Sequence, residues 1–315
     1  MSESPTTNAA YLGRDDGPAN LKLLASGKVR DIYELDPQHL VFVTTDRVSA
    51  FDVVMNEGIP HKGVVLTSIA AWWFERTRDL VENHLVSCSV EDVPGLDAAW
   101  RERLAGRVMI VRRAEPTPVE WVVRGYLVGS GWKEYQRAGT VCGIPLPAGL
   151  EQAQQLPAPL LTPTTKDDSG DRPLTPDEAR ELVGADTYER AETLSLDLFQ
   201  RGGEVLAGLD ILLADTKFEF GMLEGRLVLI DEALTPDSSR FWPRSEWRTG
   251  ISPPSFDKQI LRDYLETLDW NKKAPPPDLD PAVLARVGAR YLEVCELITG
   301  ANPLTSVCEA PGARS

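Results

Sequence analysis

Apolar runs that alternate with polar residues or run continuously, bounded by Gly, Pro, Asp or Asn, mark strands at 29–35, 40–44, 51–55, 107–114 and 119–128. Between them the period changes. From Thr67 through Ala70, Trp73, Phe74 and Val81 the apolar positions recur at helical spacing, so the first part of the chain reads as a mixed sheet carrying a helix. Trp72, Trp73 and Phe74 fall in its core. A proline-rich span at 139–176, with a polar insert at 162–173, then interrupts the pattern, and structureless stretches of that length are functional or disordered. Thr175, Pro176 and Glu178 supply an N-cap, a first-turn proline and a capping-box carboxylate, which predicts a helix start. A further helix covers 188–207 and stops at Gly208. Helices near 258–268 and 281–299 close the chain on either side of a proline run at 275–277.

The segment 211–221 and the return 225–232 form two apolar strands joined through a short Gly-flanked turn, a β-hairpin pattern. Alternate side chains on a strand point to opposite faces, so Asp215, Lys217 and Glu219 share one face and Thr216, Phe218 and Phe220 the other. Two carboxylates and a lysine on an open face form an ordinary salt bridge or a site. The return strand is apolar until Asp231 and Glu232. With an even register, Asp231 joins Asp215 and Glu219, a cluster suited to a hard cation such as magnesium, with Lys217 set for a phosphate oxygen.

Three more segments carry candidate chemistry. Around Gly27, a glycine precedes a strand on which Lys28 and Arg30 alternate; this fits either a phosphate-covering loop or a charge-protected edge. The run 118–131 buries Arg124 in an apolar strand and then turns through Gly129, Ser130 and Gly131 into a helix. That arginine needs a partner, either a protein carboxylate or an anion at the helix N-terminus. Directly after the hairpin, 231–242 is dense in hydrogen-bonding groups, and Arg240 can fork onto a phosphate.

Composition narrows the classes. The balance of 33 Lys+Arg against 48 Asp+Glu, a net charge of −15, argues against a duplex nucleic-acid binder, whose affinity comes from cations. No apolar run nears the roughly 20 residues of a membrane span, and 1–20 is polar without a signal core, so the sequence predicts a cytoplasmic protein. Cys88, Cys142, Cys295 and Cys308 show no CxxC spacing, and the only histidines are His39, His61 and His84. No zinc cluster, covalent-hydrolase motif or P-loop is present, and each cysteine reads as a buried thiol.

The segments SGKVRDIYE (26–34), TDRVSAFD (45–52), GIPHKGVVLT (58–67), PVEWVVRGYLVGSGWKEY (118–135), DTKFEFG (215–221) and DEALTPDSSRFW (231–242) resemble, in order, those of the SAICAR synthetase family over about 20–300. The resemblance implies an α+β, ATP-grasp-like fold of two lobes, a small β-rich N-terminal lobe (21–117) and a larger mixed α/β lobe (118–300); it offers no counterpart for 1–20 and 301–315, which read as mobile tails. It implies ligation of L-aspartate to 5-amino-1-(5-phospho-D-ribosyl)imidazole-4-carboxylate with ATP and Mg2+. Carried over residue by residue, Gly27, Lys28, Arg30 and Glu120 fall at the nucleotide; Lys217, Glu219 and Asp231 at the reacting phosphates, with Glu219 and Asp231 on magnesium. The ribotide falls to Arg124, Ser130, Asp237, Ser239 and Arg240, with Asp46, Ser49 and Asp52 of the SAFD segment also at the substrate cleft. VRGY at 123–126 and the TPTTK insert at 162–166 match the longer form of the family, which implies a monomer; Thr164 stands where the family has Ser and keeps the hydroxyl.

Two rival readings are a small-molecule kinase, which would form ADP without an amine, and a catalytically dead nucleotide-binding module. Retention of Lys28, Lys217, Glu219 and Asp231 together disfavours the last. The ligase needs no nucleophilic Cys, Ser or His, in keeping with the missing motifs.

Overall fold

The computed structural model describes residues 10–13, 17–51, 53–166, 171–256 and 258–305. It divides into two compact units: one runs up to Trp72, resumes over Leu85–Arg113 and takes in everything from Lys258 on; the other comprises Trp73–His84 and Ala114–Asp257. The helices after Lys258 group with the first unit and not with 118–300. Long-range contacts within that unit are the reason. Leu279 N donates to Glu57 (3.2 Å) and Trp270 sets its ring edge against Phe51 at 6.2 Å.

The first unit holds β1 (Lys22–Ser26), β2 (Arg30–Glu34), β3 (His39–Thr44), the hairpin β4 (Arg47–Ala50) and β5 (Val53–Gly58), the start of α1 (Lys62–Arg76), β6 (Leu85–Ser87), α2 (Ala98–Leu104) and β7 (Val108–Arg112). Strands pair antiparallel in the order β1-β2-β3-β7-β6. In this register Tyr33 lies opposite Val41, Val41 opposite Ile110 and Val43 opposite Val108. One face is therefore apolar and packs with Val93, Leu96 and Leu104. Tyr11 joins that core at 5% exposure, with the Arg103 and Arg107 guanidiniums 5.0 and 5.1 Å from its ring. Tyr11 falls within the stretch 1–20 expected to be a mobile tail, yet it is packed, because an aromatic flanked by two arginines repays the cost of ordering it.

The strand expected at 51–55 is a hairpin instead, turning at Phe51 with φ +52°. Helix α1 starts at Lys62, five residues before the expected Thr67.

The second unit contains β8 (Glu115–Tyr126), α3 (Gly129–Ala138), β9 (Thr140–Val141), β10 (Ile144–Pro145), β11 (Gln155–Leu161), β12 (Thr164–Thr165), α4 (Pro176–Val183), α5 (Ala185–Ala207), β13 (Ile211–Leu223), β14 (Arg226–Ile230) and β15 (Ser239–Pro243). Its antiparallel sheet runs β11-β8-β13-β14, with β12 also on β8 and β15 also on β13. The proline-rich span is therefore partly strand: β11 sits at the sheet edge, where Pro157 and Pro159 forfeit no central ladder bond. Helix α4 starts as expected, with Thr175 Oγ1 accepting from Glu178 N (3.2 Å) and Glu178 returning the bond to Thr175 N (2.8 Å).

One face of the sheet buries Trp121, Phe218 and Phe220 completely, and Tyr188 of α5 lies 5.7 Å from the Trp121 ring. Gly125 lets α5 come close, since a Cβ there would stand 2.8 Å from Phe199 Cζ. Helix α5 thereby covers the aromatic face.

The first unit is completed by α6 (Gln259–Glu266) and α7 (Pro281–Thr299). Among the described residues no helix is long and apolar enough to cross a membrane.

Candidate active site

The register of β8, β13 and β15 explains how charged residues far apart in sequence meet on the second unit's other sheet face. Asp215 lies opposite Arg124 on one side and Arg240 on the other; Lys217 lies opposite Val122, and Glu219 opposite Glu120. Cross-strand partners share a face, so the expected alternation of 215, 217 and 219 extends across three strands.

The contacts follow. Arg124 Nη1 donates to Asp215 Oδ2 at 3.0 Å, its Nη2 to Ser130 Oγ at 3.1 Å and its Nε to Thr162 Oγ1 at 3.0 Å. Arg240 also pairs with Asp215. Lys217 Nζ donates to Glu120 Oε1 at 2.5 Å and sits 3.2 Å from Glu219 Oε1, while Lys166 pairs with the other Glu219 oxygen. Thr164 Oγ1 donates to Glu120 Oε2 at 3.2 Å.

Burial is uneven across these pairs. The carboxylate side chains of Asp215, Glu120 and Glu219 are 6–9% exposed, whereas those of Arg240, Lys217 and Lys166 are 28%, 32% and 41% exposed. The surface presented to solvent is therefore cationic over a buried anionic layer, an arrangement receptive to phosphate and carboxylate groups. Two glycines make room for it. A Cβ on Gly131 would sit 3.2 Å from Arg124 Cδ, and one on Gly129, with φ +60°, would sit 2.8 Å from Arg240 Nη2. Both arginines consequently lie against the N-terminus of α3, whose first turn adds amide donors.

The electrostatics reinforce the layering. Burial alone would lower the pKa of Lys217, but the Glu219 and Glu120 carboxylates, with Asp231 adding to them, raise it above the ordinary lysine value. Burial lowers that of Arg124, Asp215 opposes, and Arg240 lowers it further. Cys142, whose Sγ lies 3.7 Å from the Pro163 carbonyl, is pushed up to about 11 by burial, and so stays a protonated, unreactive thiol.

The even register on which the Asp231 reading was conditional does not occur. A two-residue turn, Glu224 and Gly225 with φ +50° and +76°, sets Leu223 opposite Arg226 and Glu219 opposite Ile230. Continued by one residue, that ladder would put Asp231 opposite Phe218, on the aromatic face. The strand stops at Ile230 and Asp231 adopts φ +65°, which takes the chain out of the pleat, and the Asp231 charge reaches Lys217. The following turn is tied by Thr235. Its Oγ1 donates to Glu232 (2.6 Å) and accepts from Asp237 N (3.2 Å), while Thr216 and Ser239 share a hydroxyl contact at 2.8 Å.

The remaining sequence candidates fall in the first unit. Gly27 and Lys28 are exposed between β1 and β2, with Gly27 N donating to Arg30 O at 2.7 Å. Asp46 is 1% exposed, and its oxygens accept from Tyr11 N, Gly63 N and Arg107, so its carboxylate is committed to the protein interior. Ser49 is half-buried opposite Val54. Asp52 lies outside the described residues.

The sequence pattern did not mark Thr162 and Lys166 as site members, nor Arg47 as buried. The alternation already placed Asp215, but its role as the shared acceptor of two arginines depends on register. Lys166 stood in a segment read as an insert. Arg47 looked like one of several cations, and nothing in its neighbours signalled complete burial.

The chain matches the family model described as SAICAR synthetase over residues 23–277. It is 55% identical over 286 residues to the phosphoribosylaminoimidazole-succinocarboxamide synthase of Syntrophotalea carbinolica, covering 90% of this chain and 96% of that relative. It is 49% identical over 283 residues to that of Geotalea uraniireducens, covering 89% and 95%. Among solved structures, the Saccharomyces cerevisiae SAICAR-synthase complexed with SAICAR superposes with a TM-score of 0.85 at 39% identity, covering 92% of this chain and 98% of that one.

Proposed function

The chain belongs to the SAICAR synthetase family, has its ATP-grasp-like fold and catalyses its ATP-dependent ligation of aspartate in purine biosynthesis, and we propose that the ionic face of β8, β13 and β15 performs the chemistry. The observation that carries this reading is the exposed cationic layer, Lys217, Lys166 and Arg240, held in place by buried carboxylates. In the reaction the carboxylate of the imidazole ribotide attacks the γ-phosphorus of ATP, releasing ADP and forming an acyl phosphate. The α-amine of L-aspartate then adds to the acyl carbon; phosphate leaves and the amine loses a proton. Both steps gather negative charge on phosphoryl oxygens, which fixed cations stabilise.

Lys217 serves the transferring phosphoryl group. Its carboxylate partners keep it charged and locked in one orientation, so little reorganisation is needed as charge develops. Glu120 contributes by holding Lys217 and is itself held by Thr164. Arg124, Ser130 and Arg240, gathered at the first turn of α3, suit the ribotide's anionic groups, with Asp237 and Ser239 on the adjoining turn. Gly27, Lys28 and Arg30 of the first unit serve the nucleotide phosphates, and Ser49 remains a candidate for the substrate.

Magnesium is the metal this donor set suits. Among the described residues no cluster of three or more His, Cys, Asp or Glu forms a ready metal site. Magnesium, however, takes one or two carboxylates and completes its shell with water and phosphate oxygens, and Glu219 with Asp231 supplies such a pair of hard oxygen donors. When bound there, the ion would offset charge on the nucleotide phosphates. The protein acts as a monomer, a reading supported by the longer-form segments at 123–126 and 162–166, and in the cytoplasm, a reading supported by its biosynthetic role.

The test follows ADP and succinocarboxamide formation from ATP, magnesium and the ribotide, with and without L-aspartate. Equimolar ADP and product only with aspartate is the expected result. The variant Asp231→Asn should lose turnover while melting near the wild-type temperature; full activity in it would remove Asp231 from the metal site.

A further inference from the structure

The loop between β1 and β2 has an unusual support beneath it. Arg47, 2% exposed, directs its guanidinium at the loop's main chain: Nη2 donates to Gly27 O at 2.9 Å and Nε to Lys28 O at 3.4 Å. Thr45 takes the next carbonyl, with both its N (2.9 Å) and Oγ1 (2.5 Å) donating to Val29 O. Three consecutive carbonyls are thus drawn to one side. In a trans peptide the N–H points opposite to the C=O of the same plane. The N–H groups of Lys28 and Val29 therefore aim away from Arg47, toward the side on which Gly27 and Lys28 are exposed. Successive outward amides form a concavity for an anion.

Arg47 is itself fixed from two directions. Asp31 accepts from Nη1 (3.1 Å) and Nη2 (2.8 Å) and is bonded by Ser26 Oγ at 2.5 Å. The N-terminal segment closes the other side: Leu12 O accepts from Nη1 at 2.6 Å, Tyr11 is clasped by Asp46, and Gly13 lies so close that a Cβ would stand 2.1 Å from Asp31 Oδ2 and 2.9 Å from Arg47 Nη1. Gly13 also has φ +64°, a conformation that resists replacement.

From this we infer that Arg47 is a positioning residue for the nucleotide: it turns the Gly27–Val29 carbonyls inward so that the loop's amides face a phosphate, and the segment Tyr11 to Gly13 is the strap that holds Arg47 there. The inference rests on the reading of the Gly27 loop as the nucleotide-phosphate site. A lysine at 47 would keep the charge opposite Asp31 but lacks the planar fork that reaches several acceptors at once.

The experiment measures the Kd for ADP by calorimetry, the KM for ATP and for the ribotide, kcat and the melting temperature in Lys28→Ala, Arg47→Lys, Thr45→Val and Gly13→Ala. Lys28→Ala reports on the loop reading alone. Arg47→Lys should weaken ADP and raise the KM for ATP about tenfold to a hundredfold, the size expected for losing charge-assisted hydrogen bonds, with the ribotide KM within about twofold of wild type. Gly13→Ala should reproduce this selective loss from outside the loop. Thr45→Val, which keeps volume and the main-chain bond, should give a smaller nucleotide-selective loss of about threefold and covers the case in which Arg47→Lys fails to fold. If Lys28→Ala weakens ADP while the other three lower only the melting temperature, or raise both KM values equally, Arg47 is a structural ion pair and the inference is overturned. If Lys28→Ala leaves ADP binding intact, the loop reading itself fails.

Discussion

The two places where this chain gathers charge are built in opposite ways. In the second unit, side chains on β8, β13 and β15 meet through strand register, and each buried carboxylate orients the cations above it. In the first unit the charge is underneath: Arg47 is buried, and what it orients is the main chain of an exposed loop. The sheet face therefore has fixed donors at the tips of side chains, suited to charge that develops during reaction. The loop has fixed amides, suited to a phosphate that stays put. Substitutions in the sheet should act on stability, turnover or ribotide binding, and those at the loop on nucleotide affinity.

The sharpest way to break that contrast is Arg124→Ala. Arg124 is 6% exposed and bonded to Asp215, Ser130 and Thr162. Removing one partner of a buried pair costs on the order of 3–5 kcal/mol. Asp215 keeps Arg240, so the loss should lie near the lower end, read as a fall in the urea midpoint with unchanged slope. An unchanged midpoint would mean the sheet network contributes nothing to folding.

Next in size is Lys217→Met. Its side chain is one-third exposed, so folding should change little, but kcat should fall by roughly 10²–10³, the range seen when a fixed donor to developing charge is removed. A rise confined to the KM for ATP would make Lys217 resemble the loop and erase the distinction. Arg240→Ala should be milder still, raising the ribotide KM about tenfold, equivalent to ~1.4 kcal/mol, with the ATP KM unchanged. An effect on ATP alone would move Arg240 to the nucleotide.

The contrast also governs what the sequence revealed. Side chains on a strand advertise their face by alternation, so Asp215, Lys217 and Glu219 were legible as a unit, and Arg124 was legible as a buried cation in need of a partner. Register was not legible for Asp231. The two-residue turn at Glu224 and Gly225 fixes an odd count, and only the left-handed φ at Asp231 takes the chain off the aromatic side. Strand β11 was hidden by prolines that a sheet edge tolerates, and Tyr11 by a polar stretch on either side of it. Arg47 was hidden for a deeper reason. Its partners are mainly main-chain carbonyls, with one carboxylate 16 residues away and the Ser26 hydroxyl, and carbonyls leave no trace in composition or periodicity.

The smallest expected effect concerns pH and tests whether Lys217 is held as tightly as the layering implies. Burial acts to lower its pKa, but Glu219, Glu120 and Asp231 together raise it above the 10.5 of an unperturbed lysine. A base whose pKa is higher folded than unfolded contributes stability that is complete below the unfolded value and is lost as pH rises through the folded one. The melting-temperature difference between wild type and Lys217→Met should therefore be flat from pH 7 to about 10 and shrink beyond it. Partial exposure of the side chain lets water screen the pair, so the change should be a few degrees or less. A difference that shrinks between pH 7 and 9 would mean that burial wins over the carboxylates. Lys217 would then be a candidate to take the proton from the aspartate amine, and the sheet face would be a proton-transfer site instead of a fixed electrostatic one.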